Sequence, residues 1–176
     1  NYPLYAMPNL MLTNHDLVRF GDLLQRSGLA TGQEDPVYWQ RHKAAFSFMA
    51  ANSGPMTLYY GDEIGDEVPG FAAKVTSNCS VVGQCDDHVS RSDAKIENVT
   101  PGFIISTAET DLKAYVTKLM GVRKDHPALS GGLRVNLDKS ASLYVDLKIP
   151  DAEKIVYLLN TATTDTTYDL DKNASL

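Results

Sequence analysis

The stretch "LMLTNHDLVRFGD", residues 10–22, carries an apolar run straight into Asn14, His15 and Asp16 and places Arg19 three residues further on. An amide, an imidazole and a carboxylate at the end of a buried-looking strand have two readings. They form a hydrogen-bonded plug, or they face a ligand, because polar groups buried without partners cost free energy. A second acidic pair, Asp62 and Glu63, closes the run "PMTLYYGDEIG", residues 55–65. Adjacent carboxyls push each other's pKa apart and so suit general acid/base work, but they equally suit a hydrogen-bonded rim. A third set, Asp86, Asp87, His88, Arg91 and Asp93, could contact calcium or a sugar, with solvated loop charge as the blander reading.

These groups need elements to hold them. Residues 8–14, "PNLMLTN", read as a short buried strand opened by a proline. Asp35-Pro36 reads as an N-cap with proline at the first helical position, opening a helix that runs to about Asn52. Residues 55–60 read as a second short strand. Strand, helix, strand in this order implies a parallel pair with a right-handed crossover, whose polar ends fall on one edge of the sheet. That edge is where α/β folds and β/α barrels place their sites.

Residues 66–105 read as a long irregular insertion, a length that compact domains usually reserve for function or mobility. Ser106 or Thr107 then caps a helix whose apolar face is Leu112, Tyr115, Val116, Leu119 and Met120, ended by Pro127. After Gly131-Gly132 the pattern turns to alternation in "SLYVDLKI" and "KIVYLLN", which predicts an antiparallel β module beginning between Leu129 and Leu133. Trp39, beside Tyr38 at helical spacing, and the pair Tyr59 and Tyr60 read as packing residues. His42 and His126 carry no motif.

With 16 Lys and Arg against 22 Asp and Glu the net charge is −6, and no basic run of five or more occurs. That excludes a nucleic-acid or anionic-membrane partner and favours a neutral ligand. No segment approaches about 18 uninterrupted apolar residues, so no membrane span is expected. The start "NYPLYAMPNL" lacks the basic residues of a signal peptide. Cys79 and Cys85 could close a small disulfide in an oxidising compartment, which points to a secreted or periplasmic protein. Two reduced thiols in a cytoplasmic protein remain the other reading. Their spacing does not suit zinc. Asn78, Asn98 and Asn173 head glycosylation sequons, which matter only in a secreted eukaryotic protein.

Three stretches together resemble the α-amylase superfamily, glycoside hydrolase family thirteen. "LMLTNHDLVR" resembles its strand-seven motif, "GPMTLYYGDEIG" its strand-eight motif, and "VRKDHPAL" the end of its eighth helix before a C-terminal β-sandwich. Departures from that pattern are Thr13 before the Asn-His-Asp and the long cysteine-bearing loop. The resemblance covers roughly residues 8–160 and implies the last two β/α units of a (β/α)8 barrel over residues 1–130, followed by the start of an antiparallel β-sandwich over 131–176.

It also implies roles. Asp16 matches the carboxylate that stabilises the transition state, and His15 the histidine that binds the sugar at the cleavage point. Asn14, Arg19, Asp87 and Arg91 complete the candidate substrate-binding set, with a scaffold hydrogen bond the simplest role for Asn14 and carboxylate pairing for Arg19. The strand-eight carboxyls are chiefly structural in the family. The nucleophilic Asp and the acid/base Glu belong to strands four and five, which the resemblance puts upstream, so residues 1–176 alone are expected to be inactive. No metal site is expected within the chain, and family calcium binds elsewhere in the barrel of the intact protein. The implied ligand is a starch-type α-glucan. The remaining barrel or a second copy would cover the open strand edges. Two other readings are a non-catalytic binding or partner subunit of the same fold and a free-standing α/β carbohydrate-binding module.

Overall fold

The computed structural model describes residues 7–68, 91–131, 133–149 and 153–170. Two short strands, β1 (Leu10–Met11) and β2 (Met56–Thr57), pair in parallel with Leu10 opposite Met56 and Met11 opposite Thr57. Between them lie α1 (Phe20–Arg26) and α2 (Pro36–Ala51). The parallel pair is the one expected, although regular pairing is confined to two residues on each side. Helix α1 has no counterpart in the sequence reading, because its seven residues show too few apolar positions for a helical period.

Helix α2 starts as its sequence dictates. Asp35 Oδ1 accepts the Val37 N–H at 2.9 Å and Pro36 supplies a preset φ at the first helical position. Gly54, at φ +119°, lets the chain turn into β2, where any Cβ would stand 2.4 Å from the Pro8 carbonyl oxygen. Helix α3 (Thr107–Asp125) opens on a full capping box: Ser106 Oγ accepts the Glu109 N–H at 3.2 Å and Glu109 Oε2 accepts the Ser106 N–H at 2.7 Å.

One core cluster joins Phe46 and Met49 of α2 to Leu112 and Val116 of α3, with Leu12, Trp39, Met56, Leu119 and Met120 packed against it. It therefore sits behind the parallel pair and holds the strands from one side. A second cluster joins Leu24, Ala30 and Tyr38, which ties α1 to α2. Trp39 packs edge-on against Tyr38 and donates its indole N–H to the Gln33 carbonyl at 2.8 Å, as a packing residue should.

Beyond the short α4 (Pro127–Gly131), strands β3 (Leu133–Lys139), β4 (Leu143–Ile149) and β5 (Ile155–Asn160) form an antiparallel sheet in that order. Strand β3 adds to the two strands read from alternation. Its apolar residues Leu133, Val135 and Leu137 also alternate, and its pairing with β4 carries a bulge between Asn136 and Asp138. The sheet leans on α2 through the Tyr157–Ser47 hydroxyl contact at 2.8 Å and through buried Lys148, whose Nζ donates to Ser53 Oγ at 2.9 Å. Arg123, from "VRKDHPAL", donates to the carbonyls of Ala50, Asn52, Gly54 and Leu129. One buried guanidinium thus closes the end of α2 and fixes the step from the helices to the sheet.

Candidate active site

The chain leaves β1 through Thr13 and Asn14, and its polar groups then part company. Asn14 Oδ1 accepts the Asp16 N–H at 2.8 Å, and Leu17 N–H returns to the Asn14 carbonyl at 3.3 Å. This tight turn throws His15 and Asp16 outward, with side chains 71% and 67% exposed and His15 Nε2 3.2 Å from Asp16 Oδ2. Asn14 Nδ2 faces Met11 Sδ at 3.1 Å. Both polar ends of its amide are thus engaged within the turn.

Thr13 and Arg19 turn inward. Thr13 Oγ1 donates to Asp62 Oδ1 at 2.5 Å, and Arg19 Nη1 lies 3.7 Å from the same oxygen. Arg19 Nη1 also donates to the Tyr60 carbonyl at 2.6 Å, while Nη2 lies 3.5 Å from Asp66 Oδ2. The Tyr59 and Tyr60 rings stack against the guanidinium at 4.9 and 4.8 Å. Arg19 is 1% exposed and clamps the exit of β2 onto the exit of β1. The carboxylate pairing expected of it is present twice.

Asp62 is buried, and burial pushes its carboxyl up to about 6 although the Thr13 hydroxyl bond and the Arg19 charge pull the other way. Glu63 instead folds back, its Oε2 accepting the Gly61 N–H at 3.0 Å. Gly61 has φ +88°, and a Cβ there would stand 2.9 Å from Asp66 Cβ and 3.1 Å from Arg19 Nη1, so glycine is what lets the turn close over the clamp. Buried Asp66 completes the cluster, with Ser92 Oγ and Lys95 Nζ each 2.5 Å from one of its oxygens. Asp66, Ser92 and Lys95 were not singled out in the sequence. The available signal was the Asp62/Asp66 repeat within "GDEIGDE", two aspartates four residues apart, each following a glycine.

Arg91 donates from Nε to the His15 carbonyl at 2.9 Å and lies 3.6 Å through Nη2 from Asp16 Oδ1. The segment that carries it therefore touches both strand exits. Asp86, Asp87, His88 and the Cys79–Cys85 pair lie outside the described residues. Among the described residues no group of three or more His, Cys, Asp or Glu side chains is arranged to hold a metal ion, and no helix is long and apolar enough to cross a membrane. His42, buried under Phe20 and Tyr38, donates from Nδ1 to the Tyr38 carbonyl at 2.8 Å and takes no part in the site.

Helices packed behind a parallel pair, with an exposed His-Asp couple and a buried ionic clamp on one strand edge, define an α/β chain built around the C-terminal ends of its parallel strands. Solved structures of that kind match it. Two crystal structures of AmyP, one in complex with maltose and one of a variant in complex with maltotriose, each share 53% identity with the chain. They align over 91% and 92% of it, with TM-scores of 0.81 and 0.82. An α-amylase from Geobacillus thermoleovorans, complexed with acarbose, aligns over 84% of the chain at 22% identity and TM-score 0.57, a likeness of fold. The chain belongs to the α-amylase superfamily. It spans 32% of the length of each AmyP structure and 26% of the Geobacillus enzyme. No family model matches it, and no curated protein does.

Proposed function

We propose that residues 1–176 supply the last two β/α units of a (β/α)8 barrel, residues 1–130, and the start of a β-sandwich, residues 131–176, to a retaining glycoside hydrolase acting on starch-type α-glucans. The observation that carries this reading is the outward pair His15 and Asp16 on the C-terminal edge of a parallel pair, in a chain 53% identical to a protein crystallised with maltose and with maltotriose.

Retaining hydrolysis uses one carboxylate as nucleophile and a second carboxyl as acid and then base. In this reading both come from outside residues 1–176. Asp16 accepts hydrogen bonds from sugar hydroxyls at the cleavage point and opposes the positive charge that grows on the ring as the glycosidic bond breaks. A fixed anion aimed at developing charge lowers the barrier without making a bond. His15, 3.2 Å from Asp16, shares the same sugar through its ring N–H or lone pair. Neither group can replace the two bond-making carboxyls, so the isolated chain turns over no substrate.

Hydrolysis of a maltooligosaccharide by the intact protein and by residues 1–176 alone tests this. The intact protein is expected to be active and to lose activity with Asp16→Asn, while the isolated chain is silent. Turnover by the isolated chain that Asp16→Asn abolishes would overturn the division of labour.

A further inference from the structure

The segment of residues 91–95 touches both strand exits, and its contacts at the two exits differ in kind. On the strand β2 side it is clasped. Ser92 Oγ contacts Asp66 Oδ2 at 2.5 Å and accepts from Arg19 Nη2 at 3.1 Å. Lys95 Nζ donates to Asp66 Oδ1 at 2.5 Å, and the Tyr60 hydroxyl donates to the Ser92 carbonyl at 2.6 Å. Arg19 and Asp66 are themselves buried, so the clasp is anchored in the interior. One residue before it, Arg91 reaches toward β1, with Nε on the His15 carbonyl at 2.9 Å and Nη2 3.6 Å from Asp16 Oδ1.

We propose that Arg91 is a positioning residue for the Asp16 carboxylate, delivered by the Ser92–Lys95 clasp, and not a contact to sugar. The inference rests on the role given to Asp16 above. A guanidinium carries its N–H groups in a fixed planar fork, so Nε and Nη2 can hold a backbone carbonyl and the next residue's carboxylate at once. Lysine offers one point charge and cannot span both. The turn fixes the Asp16 backbone through Asn14 and sets His15 Nε2 3.2 Å from Oδ2, while both side chains stay exposed; Arg91 adds a hold on Oδ1 from outside the turn.

The test compares kcat and KM for a maltooligosaccharide in the intact protein and its variants R91M, R91K, D16N and D16N/R91M. R91M is expected to lower kcat about 30-fold, within the hundredfold that a misplacement of about 1 Å costs, with KM moving less than about threefold. R91K keeps charge and fold and is expected to lose about tenfold in kcat, because a single point charge cannot make the fork. In the D16N background R91M is expected to cost less than about threefold more, since one role cannot be lost twice. A loss carried by KM, an R91K variant equal to wild type, or a full-sized R91M loss added to D16N each overturns the assignment. A D16N loss below about tenfold is a different result: it overturns the role of Asp16 itself, and the positioning role falls with it.

Discussion

Two polar clusters lie within a few residues of each other and use the same side chains to opposite ends. His15, Asp16 and Arg91 stand in solvent at the tip of the β1 turn, held by one backbone turn and one guanidinium. Arg19, Asp62 and Asp66 lie almost wholly buried a few residues away, each tied to several partners. The difference follows from dielectric. A buried carboxylate needs a partner to exist as an anion, so Thr13 and Arg19 converge on Asp62, and Arg19, Ser92 and Lys95 on Asp66, whereas exposed charges interact weakly. The inner cluster thus sets where the outer one stands.

The comparison breaks most visibly at Arg19. Replacing Arg19 by Leu leaves Asp62 and Asp66 buried without their common cation, and a loss of about 3–5 kcal/mol in the stability of the intact protein is expected. Urea unfolding measures it, and a loss under 1 kcal/mol contradicts the clamp. Asp16→Asn is the mirror image. It is expected to cost about 100- to 1000-fold in kcat while moving stability by less than about 0.5 kcal/mol, because no buried group depends on that carboxylate.

Two buried groups, Asp62 of the inner cluster and His42 behind it, pull stability in opposite directions with pH. The Asp62 carboxyl is raised from an ordinary 3.8 to about 6, so its contribution to stability is present below pH 3.8 and is lost as pH rises through 6. Burial lowers the His42 imidazole from 6.5 to about 4, so its contribution is present above pH 6.5 and is lost as pH falls through 4. The two slopes oppose each other, each at most about 1.4 kcal/mol per pH unit. Relative to wild type, Asp62→Asn is expected to tilt stability upward with pH between 4 and 6, and His42→Gln to tilt it downward. Unfolding midpoints at three pH values in that window decide it; equal tilts in both variants sink the account.

The smallest effect serves as the calibration. Ser106→Ala removes one half of the capping box of α3, touches no residue of either cluster by a hydrogen bond, and should cost about 1 kcal/mol with kcat unchanged. A change in kcat there would mean that activity tracks stability in general, and the contrast between Arg19 and Asp16 would lose its meaning.

Much of this was legible in the order of residues. The caps at Asp35 and Ser106, the apolar faces of α2 and α3 and the alternation of β4 and β5 are local, set within a few residues by side-chain period and backbone capping. The motif types at 10–19, 54–65 and 122–129 brought the family, and the structural neighbours agree. What was not legible is long-range. Thr13 meets Asp62 across 49 positions, Arg19 meets Ser92 across 73 and Arg91 meets His15 across 76. No local period reports on such a pair.

The sequence by itself determined that polar residues end two short strands of one parallel edge, since strand, crossover helix and strand leave no other arrangement. It could not decide which of those polar residues turn inward. That choice belongs to the tertiary structure. Whether Arg19 or His15 meets solvent depends on whether the exit of β2 and the 91–95 segment arrive with carboxylates and hydroxyls to desolvate against, and only the closed fold brings them there.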